Sequence, residues 1–305
     1  MRHCGTATVV VFSRDAEPIP GQVRAQWVRQ ECPGARVLHV VANYPDPWDA
    51  ESWDYWVAAC RRCAPHATDL FTGESYGDEL ARRLGICHVC VDPARSVVDV
   101  SGTAIRHDPI ANWQYVPRSV RPWLVRKVAI VGAESTGKTT LAERLAELYR
   151  TVWVPEHGRE YCEMKAIDTL TPADLLAIAV EQAEMEDRMA VESNGLLVCD
   201  TDLMVTRAWC QHLCGMVHPD IAEVERTRRY DLHLITNPAV AWQNDGTRVC
   251  GDEGIRQWFH RRYVEELTAQ CRAHMILPAR QGDAFALACN VIETLWPTVR
   301  AKGCS

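Results

Sequence analysis

Short apolar runs punctuate the chain, separated by stretches whose apolar positions recur at helical spacing. The first part carries VVVF (9–12), RVLHVVAN (36–43) and CHVCVD (87–92). The second carries KVAIVG (127–132), VWVPE (152–156), GLLVCD (195–200), DLHLITN (231–237) and HMILPA (274–279). Apolar strands alternating with helices predict parallel α/β sheets. These eight strands fit two sheets, with a joint in VPRSVRPWLVRK (116–127), where two prolines and four basic residues interrupt the pattern. The expected domains are therefore 1–120 and 121–305. One helix start is well marked: Thr171-Pro172-Ala173-Asp174 supplies a cap residue, a first-turn proline and an N3 acid ahead of a long helical pattern.

Length and composition agree with this. A chain of 305 residues favours two domains, and its 47% hydrophobic and 24% charged residues are ordinary for a globular protein. The net charge of -7 argues against a broad nucleic-acid surface, and the basic run Arg226-Thr227-Arg228-Arg229 reads as a solvated face. No apolar run approaches the roughly 20 residues of a membrane span. The apolar core of the N-terminus, Val9 to Phe12, is too short for a signal peptide, so a cytoplasmic protein is expected. Fourteen cysteines include two C-x-x-C pairs, Cys60/Cys63 and Cys87/Cys90. The first pair lies in a helical pattern and the second in a strand pattern, without the turn residues of a zinc knuckle. They read as small buried hydrophobes rather than metal ligands.

The chemistry centres on Gly132-Ala133-Glu134-Ser135-Thr136-Gly137-Lys138-Thr139, a G-x-x-x-x-G-K-[ST] loop between a buried strand and a helix. Its glycines let backbone N–H groups turn towards a phosphate, and the helix that follows presents its positive end to the anion. Lys138 is expected to reach the β and γ oxygens, and the Thr139 hydroxyl to ligate Mg²⁺. GLLVCD ends at Asp200, an apolar strand followed by an acid, with Asp202 two residues on. One of the two suits the Mg²⁺ shell and the other an acceptor. VWVPEHGREY places Glu156 and Arg159 at the C-terminal edge of the sheet, where α/β proteins bind ligands. Glu156 reads as a base for an acceptor hydroxyl rather than an ordinary exposed acid. NPAVAWQNDGTRVCGDEGIRQWF has the Gly, Asn and Asp content of a lid, with Arg248 and Arg256 as cations for a transferring phosphoryl group. Trp242 either anchors that lid or stacks on an aromatic acceptor.

Together, VRKVAIVGAESTGKTTLAERLA, PEHGREY, LLVCDTDLMVT and W-x-x-D-G-x-R (Trp242, Asp245, Gly246, Arg248) resemble the ribosylnicotinamide kinase domain of NadR-type proteins, which join it to an NMN adenylyltransferase. VDPARSVVDVSGTAIRHDPIANWQYVPRSVRPWLVR resembles the end of the adenylyltransferase domain and its joint, so the resemblance covers nearly the whole chain. It implies a P-loop kinase-like parallel sheet with helices on both faces, preceded by a truncated Rossmann-like nucleotidyltransferase domain. It implies ATP and Mg²⁺ as cofactors and transfer of phosphate to the 5′-hydroxyl of nicotinamide riboside, giving NMN. Gly132, Glu134, Ser135, Thr136, Gly137, Lys138, Thr139 and Thr140 would then hold nucleotide and metal. Glu156, Asp200 and Asp202 would form the acidic set, with Trp242 and Asp245 near the substrate or lid.

Upstream, Ser101, Thr103 and Arg106 resemble the S-x-T-x-x-R segment that grips ATP phosphates in nucleotidyltransferases. The H-x-G-H of those enzymes occurs nowhere in the chain. Either the natural start lies upstream of Met1 or the domain has become a scaffold. In both cases no adenylyltransferase activity is expected of this polypeptide. A missing core strand also predicts an exposed sheet edge. A helix-turn-helix, present in some relatives, has no room, so repression is not expected. The expected partner is a small molecule, with no nucleic acid or membrane; self-association is open. The competing readings are a kinase for another nucleoside and a sensor that binds ATP or NAD without fast turnover.

Overall fold

The computed structural model describes residues 5–43, 50–165, 169–240 and 252–299. The chain divides into two compact units, Met1–Gly102 and Thr103–Ser305. In the first unit the elements are β1 (Thr8–Ser13), α1 (Gly21–Glu31), β2 (Arg36–Val41), α2 (Ala50–Cys63), β3 (Asp69–Thr72), α3 (Tyr76–Leu84) and β4 (Cys87–Cys90). β1 pairs with β2 and β3 with β4, each in parallel, and no ladder joins the two pairs among the described residues. In each pair a hydroxyl at the end of the first strand meets a histidine on the second. Ser13 Oγ lies 2.7 Å from His39 Nε2, and Thr72 Oγ1 lies 2.9 Å from His88 Nε2.

Two expectations change here. β3 is an extra strand; its four residues, DLFT, are too short for periodicity to reveal. The strand over 87–92 is present as β4 but is not buried, for Cys87, Val89 and Cys90 are all exposed. A two-stranded sheet offers few neighbours, and the register pair Phe71 and Val89 shares an exposed face. Cys60 and Cys63 do lie on a helix, α2, half-buried, and burial pushes the Cys60 thiol up to about 11.

The second unit takes in α4 (Gly102–His107) from Thr103 onward, and the one-turn helix α5 (Arg121–Leu124). It continues with β5 (Arg126–Val131), α6 (Lys138–Leu148), β6 (Trp153–Val154), α7 (His157–Lys165), α8 (Pro172–Glu192) and β7 (Leu196–Asp200). Then follow α9 (Leu203–Cys214), α10 (Pro219–Arg226), β8 (Leu232–Ile235), α11 (Glu253–Ala269), β9 (His274–Ile276) and α12 (Gln281–Leu295). One five-stranded parallel sheet runs in the order β6-β7-β5-β8-β9. The three central strands are apolar on both faces because helices cover both. Ala129, Val131, Leu197 and Cys199 face the core that holds Met204, Phe259 and Tyr263. Val128, Ile130, Leu196 and Val198 face the core that holds Leu141, Leu145 and Ile292.

The compact unit also takes in residues 103–120, which the prolines and basic residues had grouped with the first domain. Trp113 is the anchor: it is buried in the second unit's core and its indole N–H donates to Ser193 O at 2.6 Å. Arg121 Nη1 donates to Val191 O at 2.6 Å beside it. The α8 start is as expected. The Thr171 side chain accepts from the Asp174 N–H and Asp174 Oδ2 accepts from the Thr171 N–H, a reciprocal capping box. No helix among the described residues is long and apolar enough to cross a membrane.

Candidate nucleotide and phosphate site

The site is built where β5 ends. Gly132 has φ 152°, and a Cβ there would lie 2.0 Å from Thr236 Oγ1, so only glycine lets the loop leave the strand this close to the end of β8. Thr136 Oγ1 donates to Ala133 O at 2.8 Å and lies 2.5 Å from Thr236 Oγ1, which closes the loop on itself. Gly137, with φ 84°, then turns the chain into α6, whose first residue is Lys138. Lys138 Nζ donates across the loop to Ala133 O at 3.2 Å.

Thr139 and Asp200 meet directly: the Thr139 hydroxyl donates to Asp200 Oδ2 at 2.5 Å. Asp200 is buried, and among the described residues its Oδ1 has no hydrogen-bond partner. A hydroxyl beside a buried, unsatisfied carboxylate oxygen suits a hard divalent cation that takes its remaining ligands from water and phosphates. Among the described residues no group of three or more His, Cys, Asp or Glu side chains is arranged to hold a metal. Among the described residues, Thr139 and Asp200 are the side chains placed to hold a cation here.

Burial pushes the Asp200 carboxyl up to about 6, and the charge of Glu156 pushes it further in the same direction. Lys138, the Thr139 hydroxyl and Arg159 act against that rise. The P-loop lysine, both residues of the second strand's end and the acid of the third therefore share one electrostatic site. Gln182 of α8 fixes the turn that carries Glu156: its Oε1 accepts from the His157 N–H at 2.9 Å and its Nε2 donates to Pro155 O at 3.2 Å. Because the folded-state value of Asp200 lies above the ordinary one, its protonation stabilises the nucleotide-free fold. That stability is fully present below about 3.8 and is lost as pH rises through about 6. Asp200→Asn, neutral at every pH, is expected to unfold later than the parent at pH 8, by up to about 3 kcal/mol. Urea unfolding at pH 8 and pH 4 checks this; the advantage should vanish at pH 4.

Beside the loop lies a shallow cavity open to solvent, lined by Thr136, Gly137, Arg144, Asn237, Ala279 and Gln281 among others. Ala279 and Gln281 follow β9, the last strand of the sheet. Thr140 lines the same cavity. Glu134 and Ser135 are half-buried in the loop, with Ser135 at φ 59°.

Other expected site residues lie elsewhere. Asp202 does not present a second carboxylate at the strand end. Its Oδ1 accepts from the Val205 N–H at 3.0 Å as the N-cap of α9, and its Oδ2 lies 3.1 Å from the buried His233 Nε2. With both oxygens engaged at 1% exposure, Asp202 has no free oxygen for an acceptor proton. Arg256 is likewise not a free lid cation; it is 3% exposed and its Nη2 donates to Val240 O at 2.7 Å. Trp242, Asp245, Gly246 and Arg248 lie outside the described residues. Ser101 belongs to the first unit, whereas Thr103 and Arg106 stand exposed on α4, where Arg106 Nη2 donates to Thr103 Oγ1 at 3.2 Å. Thr103 and Arg106 do not line the P-loop cavity.

Residues 127–283, from β5 to the start of α12, match the family model described as an AAA domain. The chain belongs to the AAA domain family. Within it the chain is of the NadR type. It is 32% identical over 231 residues to the "Trifunctional NAD biosynthesis/regulator protein NadR" of Salmonella typhimurium, covering 73% of this chain and 55% of the relative. The Escherichia coli K12 protein of the same name is 32% identical over 229 residues, with the same coverage. The chain thus spans about half the length of these curated relatives. In fold it is similar to a NadR crystal structure in complex with NAD and AMP-PNP, with TM-score 0.76 and 22% identity, over 95% of this chain and 88% of that one. A NadR structure in complex with NR is similar at TM-score 0.75 and 22% identity, with the same coverage. The P-loop here is a nucleotide-binding element on a parallel α/β sheet.

Proposed function

We propose that this AAA-family chain transfers the γ-phosphoryl group of ATP to the 5′-hydroxyl of nicotinamide riboside, giving NMN and ADP. One observation carries the reading: Thr139, Asp200 and Glu156 converge at the phosphate loop, an arrangement suited to an acceptor hydroxyl and a metal-bound phosphate. The similarity to NadR proteins, one of them in complex with NR, supplies the acceptor.

In this reading the bond from the 5′-oxygen to the γ-phosphorus forms as the bond between that phosphorus and the bridging oxygen breaks. Glu156 takes the hydroxyl proton. Lys138 and the loop's backbone N–H groups offset charge on the β and γ oxygens. Thr139 and Asp200 would hold Mg²⁺, which neutralises phosphate charge when bound. Asp202, engaged with His233 and the α9 cap, is not the base. The cavity lined by Asn237, Ala279 and Gln281 would hold the adenosine end. The first unit is read as a nucleotidyltransferase-like domain without activity, since H-x-G-H is absent from the chain. Formation of NAD from NMN and ATP by the 305-residue protein would overturn that part.

The deciding experiment is coupled ADP release with ATP, Mg²⁺ and each of four acceptors: nicotinamide riboside, nicotinic acid riboside, uridine and thymidine. Release that depends on nicotinamide riboside is expected. Release with another acceptor alone would keep the chemistry and discard the substrate. ATP binding without acceptor-dependent release would favour a nucleotide sensor.

A further inference from the structure

Thr201, between the two acids, has φ 92°. A β-branched residue adopts that backbone only when its surroundings impose it. Its own side chain does not help, for Thr201 is buried and its Oγ1 has no hydrogen-bond partner among the described residues. The constraint comes from both sides. The Thr201 N–H donates to Ile130 O at 3.0 Å, and Ile130 is the register partner of Asp200. Asp202, on the other side, is held by the Val205 N–H and by His233. His233 belongs to β8, on the far side of β5 from β7, and is wholly buried. A helix cap needs only an oxygen acceptor, which serine supplies as well as aspartate. A buried aspartate tied to a buried histidine two strands away exceeds that need.

We propose that the Asp202–His233 pair is a positioning lock. It keeps Thr201 in its constrained turn, and so holds Asp200 against Thr139 with Oδ1 left open to a cation. Neither residue touches the reacting atoms. The proposal rests on the reading of Asp200 as a metal ligand.

The test is ATP affinity, by titration calorimetry, with and without Mg²⁺. Mg²⁺ tightens ATP binding in the parent protein. His233→Leu is expected to lose at least about fivefold of that gain, while Mg²⁺-free affinity stays within about twofold. His233→Gln, which restores an N–H donor, recovers most of it. Thr201→Gly combined with His233→Leu recovers it to within about twofold, because glycine holds φ 92° without constraint. Should His233→Leu not fold, Asp202→Ser makes the same comparison: it keeps the cap, breaks the link and leaves no buried charge. A full Mg²⁺ gain in the unlocked variant, or no recovery with Thr201→Gly, would overturn the lock alone. Indifference of the parent protein to Mg²⁺ would overturn the metal reading and the lock with it.

Discussion

Replacing Lys138 by alanine should lower kcat for nicotinamide riboside by about 10²–10³-fold, the usual loss when one pre-aligned donor to a transition-state charge is removed. Lys138 stands at the first residue of α6, and its ammonium already spans the loop to Ala133 O at 3.2 Å. Charge builds on the bridging and γ oxygens as the phosphoryl group leaves, and that is where a lysine at this position acts. The fold should barely notice, since the side chain is half-exposed and its one described bond is to its own loop. A change in unfolding free energy within about 0.5 kcal/mol is expected. Steady-state kinetics together with urea unfolding separate the two effects. A kcat within about twofold of the parent's would remove the phosphate loop from the reaction.

Glu186→Ala should destabilise the second unit by about 3–5 kcal/mol, the cost of leaving a buried charge uncompensated. Glu186 is fully buried in α8. Its Oε2 accepts from Lys127 Nζ at 2.9 Å and its Oε1 from the Tyr230 hydroxyl at 2.7 Å. Removing the carboxylate strands an ammonium that is only 5% exposed and a phenol with no other described acceptor. Replacing all three together, by Lys127→Met, Glu186→Leu and Tyr230→Phe, should recover most of the loss, because apolar side chains of similar size need no partner. Urea unfolding of the single and triple variants reads this out. If the triple variant were as unstable as the single, the cost would lie in shape rather than in charge.

The phosphate loop, the capped start of α8 and all five strands of the large sheet are legible in the sequence because each is a local pattern. A glycine at φ 84°, a capping box and a run of buried apolar residues depend on neighbours a few positions away. Thr236 and Gln182 escape such a reading. One closes the loop from 100 residues away and the other clamps the Glu156 turn from a helix 25 residues on. Neither residue type carries a motif, so only contact reveals them. The first unit misleads for a related reason. CHVCVD has the apolar character of a buried strand, but burial depends on what covers the strand, and among the described residues β4 pairs only with β3.

Asp200 and Asp202 show the division most clearly. By itself the sequence determined that an apolar strand ends in two acids beside a phosphate loop, and that the chain carries the motifs of a NadR-type protein. Only the tertiary structure decided which acid faces the loop. That choice turns on one constrained backbone angle at Thr201 and on a histidine 31 residues later in the chain. Side chains that follow a strand take their direction from the partners that surround them, and those partners are assembled only when the sheet forms.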